Sequence, residues 1–268
     1  MAGVTPKRLR WGALAWLLTL QFFVVETIVQ ARLAGPYSRA DEVISVLGTA
    51  DSPAHRLMNA SFVVQGALIL AGTLLLRPAL RGAGARVAPV LLGVAALGVL
   101  LVGVFPQDGS LALHRTGAAL YLAGGGLGLI ALAYGVRRRS EAVGTVMALL
   151  GLAGTAMTLF FFAGVTDYLG EGGTERAAAY VLPVGLAAAA VALWCMGAGA
   201  GRTATQPGGA AEERPNRRGL REQERARRAE QHRQRDEALE AAARRRGTAD
   251  RDDEDEDPWA APGRRRGN

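Results

Sequence analysis

Charge is nearly absent from six long segments of the first 200 residues, and the chain of 268 residues holds one cysteine and one lysine. Each shortage excludes something. With Cys195 alone, no internal disulfide can form, even where loops face an oxidising compartment. These nearly uncharged segments, residues 11–33, 57–76, 87–105, 113–136, 142–165 and 177–197, exclude a set of solvated surface helices, which need a polar face. Each is near the ~20 residues that a helix needs to cross hydrocarbon. They lack the alternation of barrel strands and are about twice as long. Because helices satisfy their own backbone in lipid, the expected fold is all-α, a polytopic membrane bundle of six transmembrane helices.

The charges that are present are sorted by side. Nine of the fourteen basic residues before position 201 (Lys7, Arg8, Arg10, Arg77, Arg81, Arg86, Arg137, Arg138, Arg139) lie before the first span or in the second and fourth connections. Seven of the nine acidic residues, Asp41, Glu42, Asp51, Asp108, Asp167, Glu171 and Glu175, lie in the other three connections. The positive-inside rule then predicts cytoplasmic N and C termini in a multi-pass protein of the cell membrane. Residues 1–10 form a cytoplasmic N-terminus, 11–198 the transmembrane domain and 199–268 a cytoplasmic tail. Val29-Gln30-Ala31 also reads as a signal cleavage site, and the later spans keep their orientation either way. A net charge of +7 on such a protein is cytoplasmic-side arginine, so no nucleic-acid partner is expected. Thirty Arg against the single Lys, with abundant Ala, Gly, Val and Leu, points to a bacterial genome rich in guanine and cytosine.

Polar residues gather at the outer ends of the spans. The first outer connection carries Pro36-Tyr37-Ser38, Ile44-Ser45-Val46-Leu47-Gly48 and Asp51-Ser52-Pro53, and its Val43, Ile44, Val46 and Leu47 are too apolar for a tether. A short helix or cap lying on the bundle is expected there. Beside it fall Asn59, the Phe105-Pro106-Gln107-Asp108 turn, His114, Arg115, and the run from Thr166 to Arg176. Glu26 lies about 22 Å along the first helix at ~1.5 Å per residue, with Gln30 on the same face. A carboxylate at that depth must face the bundle or a watery cavity. It either serves a ligand, or is protonated or paired with an arginine such as Arg56 or Arg176 and only locks helices together. The candidate ligand-binding set is Glu26, Tyr37, Ser38, Ser45, Asn59, Asp108, His114, Glu175 and Arg176.

Metal chemistry has thinner support. His55 and His114 are the available imidazoles in this layer, but no HExxH or other local ligand pair occurs, and each sits on its own element. No cofactor is indicated. Ser38 and Ser45 have no base at fixed spacing. Asn59-Ala60-Ser61 matches a glycosylation acceptor at the membrane boundary. The glycines at 124–128 lie mid-span without a preceding strand, so they suit close helix packing rather than a dinucleotide loop. Gly144, Gly151, Gly154 and residues 187–190 suit the same packing, and Pro183 is expected to kink the last span.

From Gly201 on the composition changes: seventeen Arg and fifteen acidic residues in sixty-eight positions, with almost no large apolar side chain. Such a segment cannot form a core and is expected to be disordered or partly helical, with pairs such as Glu224 with Arg228 and Glu240 with Arg244. Its expected role is topology and solubility, or contact with anionic lipid or a cytosolic partner.

Pro36-Tyr37-Ser38, Ile44-Ser45 with Leu47-Gly48, Pro53, Asn59, Gly66, Gly103-Val104-Phe105-Pro106-Gln107-Asp108 with His114, and Glu175-Arg176 together resemble the domain-of-unknown-function 998 family of bacterial and archaeal six-helix membrane proteins. The resemblance covers about residues 10–198 and leaves out the tail. It implies a multi-pass membrane protein and no particular reaction. Three functions stay open: an outward polar pocket for a lipid headgroup or small solute, a metal-dependent membrane-embedded hydrolase, and a transporter coupled to protons through Glu26. Whether the protein is an enzyme stays open as well.

Overall fold

The computed structural model describes residues 5–137, 139–204, 225 and 227–237. Among the described residues up to 204, seven α-helices follow one another: α1 Pro6–Leu18, α2 Gln21–Gln30, α3 His55–Leu76, α4 Gly84–Val104, α5 Leu111–Val136, α6 Glu141–Ala163 and α7 Glu171–Ala204. No strand occurs among the described residues. Two short 3-10 turns, Ile44–Gly48 and Arg77–Ala79, complete the set. Taking α1 with α2 as one span, six helical spans are long and apolar enough to cross a membrane. The chain is an all-helical, multi-pass membrane protein.

The first span differs from the uninterrupted helix expected over residues 11–33. It breaks at Thr19 and Leu20, whose amides reach back only three residues, to Trp16 O and Leu17 O. The Thr19 hydroxyl caps the turn by donating to Trp16 O at 2.6 Å. Thr19 is fully buried, so this hydroxyl must bond locally, and the bond it finds competes with the regular ladder. The last span differs too. α7 begins at Glu171, six residues before the expected start, because polar residues 171–176 are helical under a covering loop. It runs on through Pro183 without a break in the helix.

Local signals explain the start of α1 and both ends of α6. Thr5 caps α1, accepting from the Arg8 amide, with Pro6 in the first turn. Ser140 caps α6 in the same way through the Val143 amide, and Gly164 closes it in the left-handed conformation at φ 71°. The cap foreseen on the first long connection is the turn Ile44–Gly48, whose Ile44, Ser45, Leu47 and Gly48 are buried against the bundle.

Small residues set the packing. A Cβ on Gly117 of α5 would lie 2.7 Å from Gly98 O of α4, and one on Gly151 of α6 would lie 2.7 Å from Gly126 O of α5. Only glycine admits these backbone approaches, so the sequence run at 124–128 serves helix contact, as expected. Among the spans, α5 is the most enclosed and α6 the least. Large apolar side chains such as Val90, Leu149, Leu152 and Leu159 stand exposed along the spans. In water such surface would drive aggregation; in a bilayer it meets acyl chains. Inside, Gln21 and Ser61 tie α2 to α3, with Gln21 Nε2 donating to Ser61 O at 3.3 Å and Ser61 Oγ donating to Gln21 Oε1 at 3.1 Å.

Contacts divide the chain into two units, residues 1–206 and 207–268. In the second, residues 227–237 are helical and exposed, with Arg233 and Glu230 paired at 3.3 Å. The expected pairs through Glu224, Glu240 and Arg244 lie outside the described residues.

Candidate functional site at the polar end of the bundle

The chain reverses at every connection, so the ends of α2, α4 and α6 and the starts of α3, α5 and α7 share one end of the bundle. That end carries two distinct polar arrangements.

The first is a clamp around Glu26. Its carboxylate is completely buried and accepts from Arg176 Nε at 3.0 Å, Gln30 Nε2 at 2.9 Å and Tyr180 Oη at 2.6 Å. Arg39 stands 3.7 Å from the same carboxylate and bonds Tyr180 Oη at 2.6 Å. Of the arginines considered from sequence, Arg176 is the partner. Its guanidinium spends every nitrogen: Nη1 donates to the carbonyls of Arg39, Glu42 and Gly172 at 2.8, 2.7 and 3.1 Å, and Nη2 donates to the Tyr37 hydroxyl. The ion pair therefore joins α2, α7 and the loop between α2 and α3. Burial pushes the Tyr37 phenol above its ordinary pKa of 10.0, against the opposing pull of Arg176. A charged group bonded at each position is at low energy only while all partners remain.

The cap is fastened by the same device. Ile44 N–H donates to Glu175 Oε2, the Ala50 amide donates to Asp108 Oδ2 at 2.8 Å, and Asn59 Nδ2 donates to Gly48 O at 2.9 Å. Ser38 Oγ donates to Asp41 Oδ2 at 2.5 Å within the loop. Gly170, at φ 75°, turns tightly into α7, where a Cβ would strike Ala40 O. That close approach presses the loop onto the start of the last helix.

The second arrangement is a cleft. Val43, Ser45, Gln107, Leu111, His114, Arg115, Ala118, Phe161, Phe162, Glu171 and Glu175 line an opening of about 310 Å³ between the cap and helices α5, α6 and α7. Ser45, His114, Ala118 and Glu175 also line a small inner chamber of about 30 Å³, walled otherwise by Phe22, Phe62, Val99, Val102, Tyr121 and Leu122 among others. The chamber has room for about one water. Here the polar groups are only partly engaged. Ser45 Oγ donates to Gln107 Oε1 at 2.8 Å, and His114 Nδ1 bonds Phe105 O at 3.0 Å. Its other ring nitrogen has no protein partner among the described residues.

The structure thus distributes the nine sequence candidates unevenly. Ser45, His114 and Glu175 meet at the cleft. Glu26, Tyr37 and Arg176 meet in the clamp, while Ser38, Asn59 and Asp108 hold the loop and cap. His55 bonds Ser52 O at 2.9 Å at the start of α3. Among the described residues, no three His, Cys, Asp or Glu side chains gather as a metal site would require. Tyr180, Phe161 and Phe162 were missed by sequence reasoning. Tyr180 follows Arg176 at i+4 and so shares its helix face, a signal available in the sequence. The two phenylalanines carried none, since they read as ordinary span residues.

Fold and site define the class: a six-span integral membrane protein with a capped polar end. Residues 17–192 match the family described as "Protein of unknown function (DUF998)", and the chain belongs to that family. No curated protein and no solved structure matches it.

Proposed function

We propose that the protein is a binding protein of the cell membrane whose cleft takes the polar end of an amphiphile, a lipid headgroup above all, or a small solute. The observation that carries this reading is the two-sided chemistry of the cleft. Ser45, Gln107, His114, Arg115, Glu171 and Glu175 supply hydrogen bonds and both signs of charge, while Leu111, Phe161 and Phe162 supply an apolar wall. Phe162 and Leu111 are exposed on the spans, where acyl chains run. A molecule with a polar head and a hydrocarbon tail satisfies both walls at once. The remaining sequence candidates, Glu26, Tyr37, Ser38, Asn59, Asp108 and Arg176, act in this reading by holding the cap in place.

The test fills the space. Ala118 lines both the cleft and the inner chamber, and Ala118→Phe occupies the volume without touching a charge. Native mass spectrometry of protein in mild detergent should show bound lipid on the wild type and a loss of about tenfold or more in the variant. Equal lipid on both would contradict the reading.

The charge distribution supports an outward-facing cleft with both termini in the cytoplasm. Tyr168, in the loop before α7, is 93 % exposed. A Tyr168→Cys chain also carrying Cys195→Ser should react with a membrane-impermeant maleimide on intact cells. Labelling only after permeabilisation would reverse the orientation.

A further inference from the structure

At the opposite end of the bundle, the start of α1 and the last turns of α7 enclose a groove of about 640 Å³. It is lined by Pro6, Lys7, Arg10, Trp11, Leu14 and Trp194. Lys7, Arg10, Trp11 and Leu14 follow one another at i, i+3, i+4 and i+7, so they form one stripe along a single face of α1. The stripe is graded. Lys7 and Arg10 are exposed, Trp11 lies about 6 Å further along the helix axis from Lys7, and Leu14 continues into the apolar span. Trp194 comes 23 residues into α7, about 35 Å from its start and hence near the far boundary of the hydrocarbon. The groove is therefore cationic at headgroup depth, aromatic at the boundary and aliphatic below. Trp11 and Trp194 are 57 % and 40 % exposed, so neither indole is used by the core.

We infer that this groove is a binding site for an anionic phospholipid, with Lys7 and Arg10 on the phosphate and Trp11 and Trp194 flanking the glycerol and upper acyl chain. Charge complementarity selects the occupant. Among the described residues, the groove holds two cations and no acidic residue, and interfacial indoles with basic neighbours match the headgroup boundary of a bilayer. The site lies apart from the polar-end cleft, so the lipid counts that test the cleft are made on chains carrying Lys7→Gln with Arg10→Gln, which removes the groove's cations, and the two readings stand or fall separately. Arg8 provides an internal control: it is exposed on the same turn and absent from the groove lining.

Tryptophan quenching by lipids brominated on the acyl chain reads the site directly. The full chain carrying Trp259→Phe, which removes the tail indole, is reconstituted in phosphatidylcholine vesicles containing a minority of brominated phosphatidylglycerol or of brominated phosphatidylcholine. Trp16 is fully buried and stays dark to the quencher, so the signal comes from Trp11 and Trp194. The anionic quencher should act at lower mole fraction, with a preference of about fivefold for each cation of the groove. Lys7→Gln with Arg10→Gln should abolish that preference, and Arg8→Gln should keep most of it. No preference in the wild type overturns the inference. So does an equal loss with Arg8→Gln, which would mean general surface potential instead of a site. All three positions are exposed, so folding does not confound the result.

Discussion

The clamp and the cleft lie side by side at one end of the molecule and share α7, where Glu175 and Arg176 are neighbours in sequence, yet they are opposites in bonding. Arg176 points into the clamp and spends all of its nitrogens on protein atoms. Glu175 holds one cap amide and otherwise borders open space. A saturated polar network has nothing left to offer a ligand, and its chemistry is stability. An unsaturated one beside a cavity retains donors and acceptors, which the proposed recognition would use. Polarity at membrane depth is thus not one signal, and adjacent residues on one helix can belong to different tasks.

Substitutions should separate the two regions. The largest stability effect belongs to Glu26→Ala, which leaves Arg176 buried without its carboxylate. A loss of about 3–5 kcal/mol is expected in denaturant unfolding from detergent micelles. Tyr180→Phe removes the bond that the phenol donates to the Glu26 carboxylate and should cost about 1.5–3 kcal/mol by the same measurement. Asn59→Ala frees the cap at Gly48 O and also removes the unpartnered Asn59 Oδ1, so about 1 kcal/mol is expected, with faster hydrogen exchange confined to residues 44–50. Arg115→Gln and Glu171→Gln, both exposed at the cleft, should change stability by no more than about 0.5 kcal/mol while lowering lipid retention. If these cleft variants unfold as readily as Glu26→Ala, the division between the regions fails.

A pH dependence refines the clamp further. Because burial raises the Tyr37 pKa in the folded protein, the proton is held more tightly there than in the unfolded chain. Its contribution is therefore complete below the ordinary value of 10.0 and is lost as pH rises through the higher folded value. Stability should show no Tyr37-dependent change from neutral pH to about 9 and fall beyond 10. Tyr37→Phe should remove that part of the alkaline fall, which a series of unfolding curves would detect.

The spans were legible because hydrocarbon imposes length and composition on each helix separately, and a cap over the first connection was legible from Ile44 and Leu47. The break at Thr19 was not, since a single threonine in an apolar run is common and only burial forces its hydroxyl onto Trp16 O. The early start of α7 was hidden for a related reason. Residues 171–176 are polar by hydropathy, yet Arg176 and Thr174 are buried once the loop from Tyr37 to Val43 lies over them. At the polar end, sequence grouped residues by depth alone. Depth places Glu26 beside His114, but lateral position, which depends on how the helices are arranged around the bundle, sends one to the clamp and the other to the cleft. Phe161 and Phe162 were invisible for the same reason, whereas Tyr180 was marked only by its i+4 spacing from Arg176.

The most direct measurement records bound lipid and thermal midpoint together, in one purification, for the wild type, the Arg115→Gln and Glu171→Gln double variant, and Tyr180→Phe. A cleft devoted to recognition and a clamp devoted to stability require that the double variant lose its lipid with its midpoint unchanged. Tyr180→Phe should keep its lipid below a lowered midpoint. Lipid and midpoint falling together in both would contradict the division, and would make the polar end a single structural lock.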